Sequence, residues 1–268
     1  MAIIFDGKTY SAKKKELLRS GVTLLKEKGI IPHIATVIIG NDPASVLYVN
    51  LKKKFIEDIG CQLDIYRLNE STSFEDIKLL INSLNDDKTV HGIMVQMPLP
   101  EKIKNEKLKI VNLIVDNKDV DGLRENSKFL HPTSKAAIEI LLIAANELKT
   151  EVKSVCVVGS DGMVGKPLVK ELIKLGYTVF EANEKTDSVK LQSLTLQSDA
   201  IVSATGVINL IGPEMVKDNQ VLIDVGAPFG DISPQVEDKA GFLTPVPGGV
   251  GPVTITCLAE NLLLAASH

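Results

Sequence analysis

Apolar residues recur at helical spacing through residues 11–30 (SAKKKELLRSGVTLLKEKGI), a stretch that ends near Gly29, and this predicts an amphipathic helix. Residues 33–40 (HIATVIIG) instead form a continuous apolar run closed by glycine, the mark of a buried strand. The alternation continues with a helix to Gly60, a strand over 61–68 (CQLDIYRL), a helix over 73–86 (SFEDIKLLINSLND) and a strand with its loop over 90–100 (VHGIMVQMPLP). After a polar stretch at 124–129 (RENSKF), expected to mark an interdomain crossing, residues 134–148 read as another helix. A second series opens with a strand at 152–159 (VKSVCVVG) and a helix over 166–175. Strands over 177–182 (YTVFEA), 200–205 (AIVSAT) and 221–226 (VLIDVG) follow. Such alternation predicts an α/β chain with parallel strands, whose C-terminal ends are where ligands bind.

Two stretches carry more than periodicity. Residues 155–185 (VCVVGSDGMVGKPLVKELIKLGYTVFEANEK) read as strand, glycine turn, helix and strand within about the thirty residues of a dinucleotide-binding unit. The glycines Gly159, Gly162 and Gly165 are spaced GxxGxxG and miss the usual GxGxxG fingerprint. Gly165 nevertheless opens a helix, where a pyrophosphate meets outward-pointing N–H groups. Glu181 and Glu184 then stand at the end of the next strand, at roughly the 20-residue offset where a carboxylate pairs a ribose hydroxyl. The second stretch, TPVPGGVGP (244–252), concentrates proline and glycine before an apolar segment with helical character. Proline fixes φ near about −65°, and glycine lets a ligand approach the backbone, so a rigid ligand wall and a plain tight turn both fit. Tyr48 and Lys52, four residues apart, share one face of their helix. A lysine in a dry cleft has its pKa depressed and supplies a neutral amine for acid–base work.

Composition narrows the classes. With 268 residues the chain is long enough for one large or two ordinary domains. A net charge of −4, without a concentrated basic segment, argues against general nucleic-acid binding. Three scattered cysteines and four histidines offer no metal-ligand spacing, so no metal is expected, and a reducing compartment fits. No apolar run suits a signal peptide or a membrane span, and a cytoplasmic location is expected.

Taken in order, YVNLK (48–52), VQMPLP (95–100), KDVDGL (118–123), the nucleotide turn through VGKPL (164–168), DVG (224–226) and TPVPGGVGP resemble the bifunctional methylenetetrahydrofolate dehydrogenase/cyclohydrolase family over nearly the whole chain. The resemblance implies an N-terminal α/β catalytic domain (1–123) rejoined by a C-terminal helix (247–268), a Rossmann-like domain (124–246), and a folate cleft between them. It implies oxidation of 5,10-methylenetetrahydrofolate with NAD(P) and hydrolysis of the methenyl product to 10-formyltetrahydrofolate, in one-carbon metabolism, by a homodimer. By similarity Lys52 is catalytic, Gln96 its partner, and Tyr48 packs on the folate. Asp121 anchors the pterin, and Pro98 and Pro247, Gly248, Gly249 and Val250 line the substrate. The nucleotide falls to Gly159, Ser160, Asp161, Val164, Gly165, Glu181, Glu184, Thr205 and Gly206.

The chain departs from the family's pattern at its nucleotide end. The usual arginine and serine after the first glycine are Ser160 and Asp161, the His-Ser-Lys-Thr stretch is Asn183–Thr186, and Pro-Cys-Thr-Pro is His131–Ser134, keeping Thr133. The passage from Gly122 to His131 and the segment after DVG are short. The carboxylates lean towards NAD, whereas the family usually takes NADP. Two alternatives stand beside the bifunctional enzyme: a cyclohydrolase with weak or lost dehydrogenase activity, and a non-catalytic folate-binding protein. A shikimate-type dehydrogenase would share the two-domain plan but leave VQMPLP and TPVPGGVGP unexplained.

Overall fold

A computed structural model describes residues 2–124 and 126–268. Along the chain run β1 (Ile3–Ile4), α1 (Gly7–Glu27), β2 (His33–Ile39), α2 (Pro43–Asp58), β3 (Gln62–Leu68), α3 (Phe74–Asp86) and β4 (Gly92–Val95). There follow α4 (Lys107–Val111), α5 (Pro132–Leu148), β5 (Ser154–Val158), α6 (Gly165–Lys174), β6 (Thr178–Ala182) and α7 (Ser188–Gln197). The chain closes with β7 (Ala200–Ser203), β8 (Gln220–Asp224), β9 (Ala240–Leu243) and α8 (Val250–Ala266). Two compact units result, one of Met1–Ala12 with His131–Cys257 and the other of Lys13–Leu130 with Leu258–His268.

The unit built on Lys13–Leu130 holds a three-stranded sheet in the order β3-β2-β4, every pair parallel. All seven residues of β2 are buried, which is why its sequence is apolar on both faces rather than alternating. One face carries Ile34, Leu63 and Met94 into a cluster with Val22, Ile56 and Leu262. The other carries Ala35, Val37, Ile93 and Val95 against Ile77, Ile81 and Ile110. Helix starts follow local chemistry: Asp42 accepts from Ser45 N ahead of Pro43 at α2, and Ser73 accepts from Asp76 N at α3.

The other unit holds a six-stranded parallel sheet in the order β1-β9-β8-β7-β5-β6. Its core gathers Cys156, Val158, Ile201, Leu222 and Ile211. The central strands β5, β7 and β8 are buried along nearly their whole length. α/β architecture with parallel strands is thus what the chain adopts, and its strand ends present the loops where the candidate residues sit. The N-terminal pair Ile3–Ile4 extends this sheet beside β9, a role the sequence pattern did not announce.

Candidate functional site

The C-terminal end of β4 gathers the candidate residues of the unit built on Lys13–Leu130. Gln96 follows the strand directly and its N–H bonds Val37 O at 2.9 Å, so its backbone is tied to β2. Its side chain is oriented from both sides: Nε2 donates to Met97 O at 2.6 Å, which leaves Oε1 as acceptor for Lys52 Nζ at 3.1 Å. Lys52 lies on the buried face of α2 with Ser45, Val49 and Ile56, and only 8% of it is exposed. Its Nζ also donates to the sulfur of Met94 at 3.2 Å. Burial pushes the Lys52 amine below the usual lysine range, and the negative charge of Asp121 offsets this in part. Tyr48, one turn earlier on α2, is exposed, as is Pro98 beyond β4.

The KDVDGL turn divides its residues by task. Lys118 Nζ donates to the carbonyls of Leu84, Asn85 and Asp87 at 3.0, 2.7 and 2.7 Å, capping the C-terminal end of α3. Asp119 is fully buried and accepts from Leu123 N and Arg124 N, which closes the turn. Val120 O accepts from Asn261 Nδ2. Asp121 is half-buried, and it is the member of the turn whose charge reaches Lys52. The sequence singles out Asp121 in this turn; the tasks of Lys118 and Asp119, capping α3 and closing the turn, depend on partners that the sequence does not announce.

In the other unit, the nucleotide turn joins β5 to α6. Gly159 has φ 87°, and a Cβ there would stand 2.6 Å from Ala204 O. At Gly165 a Cβ would stand 2.0 Å from Gly159 O, so the turn folds back on itself with room for glycine alone. The N–H groups of Gly159 and Ser160 both donate to Ala182 O, and that of Gly162 to Gly159 O. Val164 O accepts from Ser134 Oγ at 2.7 Å, which ties this turn to the first turn of α5 and the HPTS stretch. Ser160 is buried, whereas Asp161, Glu181, Glu184, Lys166 and Lys185 are exposed.

Thr205 and Gly206 lie just past β7, held by a carboxylate distant in sequence. Asp231 Oδ2 accepts from Ser203 Oγ, Thr205 N and Thr205 Oγ1 at 2.8, 2.6 and 2.9 Å. Asp224 accepts from Gly226 N, Asp231 N and Ile232 N; burial pushes its carboxyl above the usual range, and those N–H groups pull it back in part. Truncating Asp231 to alanine strands three donors, and at about 1–3 kcal/mol for each stranded group the variant is expected to lose about 3 kcal/mol or more of unfolding free energy. Urea denaturation checks this; Asp231→Asn, which keeps the accepting oxygen, is expected to lose much less. The remaining loop residues complete this unit's set: Pro247 is exposed, Gly248 has φ 109°, and Gly249 N donates to Pro245 O at 2.8 Å ahead of buried Val250. A Cβ on Gly7 would stand 1.9 Å from Gly249 O, so the start of α1 packs directly on this loop.

Comparison with known proteins places these features. A family profile described as tetrahydrofolate dehydrogenase/cyclohydrolase, catalytic domain, matches residues 5–121, and its companion, the NAD(P)-binding domain, matches residues 132–268. The bifunctional protein FolD of Halalkalibacterium halodurans is 39% identical, over 100% of this chain and 99% of that protein. The crystal structure of the bifunctional FolD methylenetetrahydrofolate dehydrogenase/cyclohydrolase from Campylobacter jejuni has a TM-score of 0.92 at 37% identity, covering 100% of this chain and 99% of that one. The Trypanosoma brucei FolD, complexed with NADP and an inhibitor, has a TM-score of 0.91 at 29% identity, covering 99% and 97%. Matched along both halves and at such identity, the chain belongs to the tetrahydrofolate dehydrogenase/cyclohydrolase family.

Proposed function

We propose that the chain oxidises 5,10-methylenetetrahydrofolate to the methenyl form with a nicotinamide dinucleotide and hydrolyses that product to 10-formyltetrahydrofolate, with Lys52 as the proton-transfer group. The observation that carries this is a buried amine held 3.1 Å from Gln96 Oε1 at the C-terminal end of a parallel strand. A lysine with lowered proton affinity has more neutral amine near neutral pH, so Nζ is able to take and return a proton there. Gln96 supports that role by fixing where the amine points, because its own amide is locked by Met97 O. Tyr48, exposed one turn away, offers a ring for the folate to pack on, and Asp121 offers a two-point acceptor for the pterin. A homodimer in the cytoplasm completes this reading.

The residues present fit a dinucleotide. The ten-residue α6 opens at a glycine turn too tight for any side chain at Gly165, beside exposed carboxylates at the end of β6. Because Gly159 and Ser160 commit their N–H groups to Ala182 O and Gly162 commits its own to Gly159 O, amides for a pyrophosphate are sought from Met163 to Gly165. Thr205, Gly206 and the 247–250 loop supply further backbone walls. Bound NAD(P) supplies the hydride acceptor.

Within this reading the nucleotide is NAD. A 2′-phosphate needs paired cations when it leaves water, yet Asp161, Glu181 and Glu184 are exposed around the turn and β6, with Lys166 and Lys185 as the nearby cations in sequence. The expected result is a higher kcat/KM with NAD than with NADP in a spectrophotometric assay with methylenetetrahydrofolate. A clear advantage for NADP overturns the assignment, and turnover with neither nucleotide reduces the activity to the cyclohydrolase.

A further inference from the structure

Met94 occupies a core position that any apolar residue of similar volume fills: it is fully buried in the cluster with Ile34, Leu63 and Val120. Its sulfur, however, stands 3.2 Å from an amine, Lys52 Nζ, and accepts from it. We propose that Met94 is a positioning residue for the proposed proton transfer: its sulfur is a second, deliberately poor acceptor that aims the Lys52 amine at Gln96 while stabilising its charged form only weakly. This deepens the reading of Lys52 as proton carrier and rests on it.

Donors and acceptors around the amine set where it points. A lysine amine has two or three N–H bonds to place, and one goes to Gln96 Oε1. A second oxygen or a water at Met94's position would hold the ammonium form firmly; sulfur is a weak acceptor and does so much less. An alkyl group would leave that N–H with nothing to restrain it. The thioether lies between these extremes, giving direction to the amine at little gain to its charge. Its surroundings act in the same sense. Thr36 is paired with Met94 across β2 and β4, is uncharged, and its buried Oγ1 has no hydrogen-bond partner among the described residues. The charge acting on the amine comes from Asp121, in the turn that follows α4. On α2 itself, Tyr48 stands one turn back, Lys53 Nζ is engaged by Leu63 O and Glu57, and the charge of Lys54 acts on Asp58.

The test uses wild type, Met94→Leu and Met94→Gln in the full chain, with Lys52→Met as a control. Each is followed by the pH profile of kcat/KM and by the titration of Lys52 Nζ in 15N-lysine-labelled protein. Leucine keeps the volume and removes the acceptor, so the Nζ midpoint moves to lower pH. With it, kcat falls about two- to fivefold, the worth of one weak contact, at unchanged KM for the folate. Glutamine adds a strong acceptor and moves the midpoint to higher pH. The order Gln above Met above Leu, seen in the titration and in the limb of the pH profile together, supports the proposal. Identical midpoints in wild type and Met94→Leu, with only a loss of thermal stability, overturn it and leave Met94 as packing; this pair decides the matter even if Met94→Gln fails to fold. A pH profile that survives Lys52→Met unchanged rejects the role of Lys52 itself, while the Nζ titration still reads the effect of Met94 on that amine.

Discussion

Replacing Lys52 with methionine is expected to lower kcat by about 10²- to 10⁴-fold while the protein stays folded, the usual contribution of a positioned acid–base group. The expectation rests on where the amine sits. Lys52 is 8% exposed, and methionine keeps most of its apolar stem against Val49 and Ile56 on the same helix face while removing the one group burial disfavours. Loss of that amine leaves Gln96 Nε2 bonded to Met97 O, so the surroundings keep their geometry. Thermal unfolding near the wild-type temperature, with folate still bound and turnover gone, is the expected pattern. Normal turnover would make Lys52 an incidental buried lysine.

Asp121→Ala carries the second large effect. Removing one partner of a hydrogen-bonded charge pair costs about 2–5 kcal/mol, so the folate dissociation constant is expected to rise by about 30- to 5,000-fold, with nucleotide affinity little changed. The same substitution acts on the amine. Asp121 raises the proton affinity of Lys52 against the lowering by burial; without it the Lys52 midpoint falls further, and any rising limb of the pH profile moves to lower pH. Isothermal titration with a folate and with the dinucleotide separates the two ligands. Equal weakening of both would argue that Asp121 serves the fold rather than the pterin.

Much of this architecture was legible because burial and periodicity agree locally. β2 is apolar on both faces because it is the central strand of a parallel sheet, and its run of seven buried residues is visible in the sequence. The boundaries of α3 follow from Ser73 at its start. What escaped was short or non-local. β1 has two residues, too few for a pattern to show, β9 was not read as a strand, and α7 is only weakly amphipathic. The expected start of α1 fell four residues late because its cap is Asp6, whose carboxylate accepts from Lys8 N and Thr9 N before the apolar pattern begins. At the candidate site, Tyr48 and Lys52 stood out by their spacing of four on one helix, and Gln96 and Asp121 entered through the family resemblance. Asp231 was not, since its partners Ser203 and Thr205 precede it by 28 and 26 residues. Nor does a sequence disclose that the sulfur of a core methionine faces an amine.

The most direct test of the account is a two-stage absorbance assay of the purified chain. With methylenetetrahydrofolate and NAD, reduced nucleotide is expected to appear while methenyltetrahydrofolate forms and then decays to 10-formyltetrahydrofolate; with methenyltetrahydrofolate supplied alone, the decay is expected to persist. Absence of reduced nucleotide with both NAD and NADP, together with methenyltetrahydrofolate decaying no faster than in buffer, would contradict it.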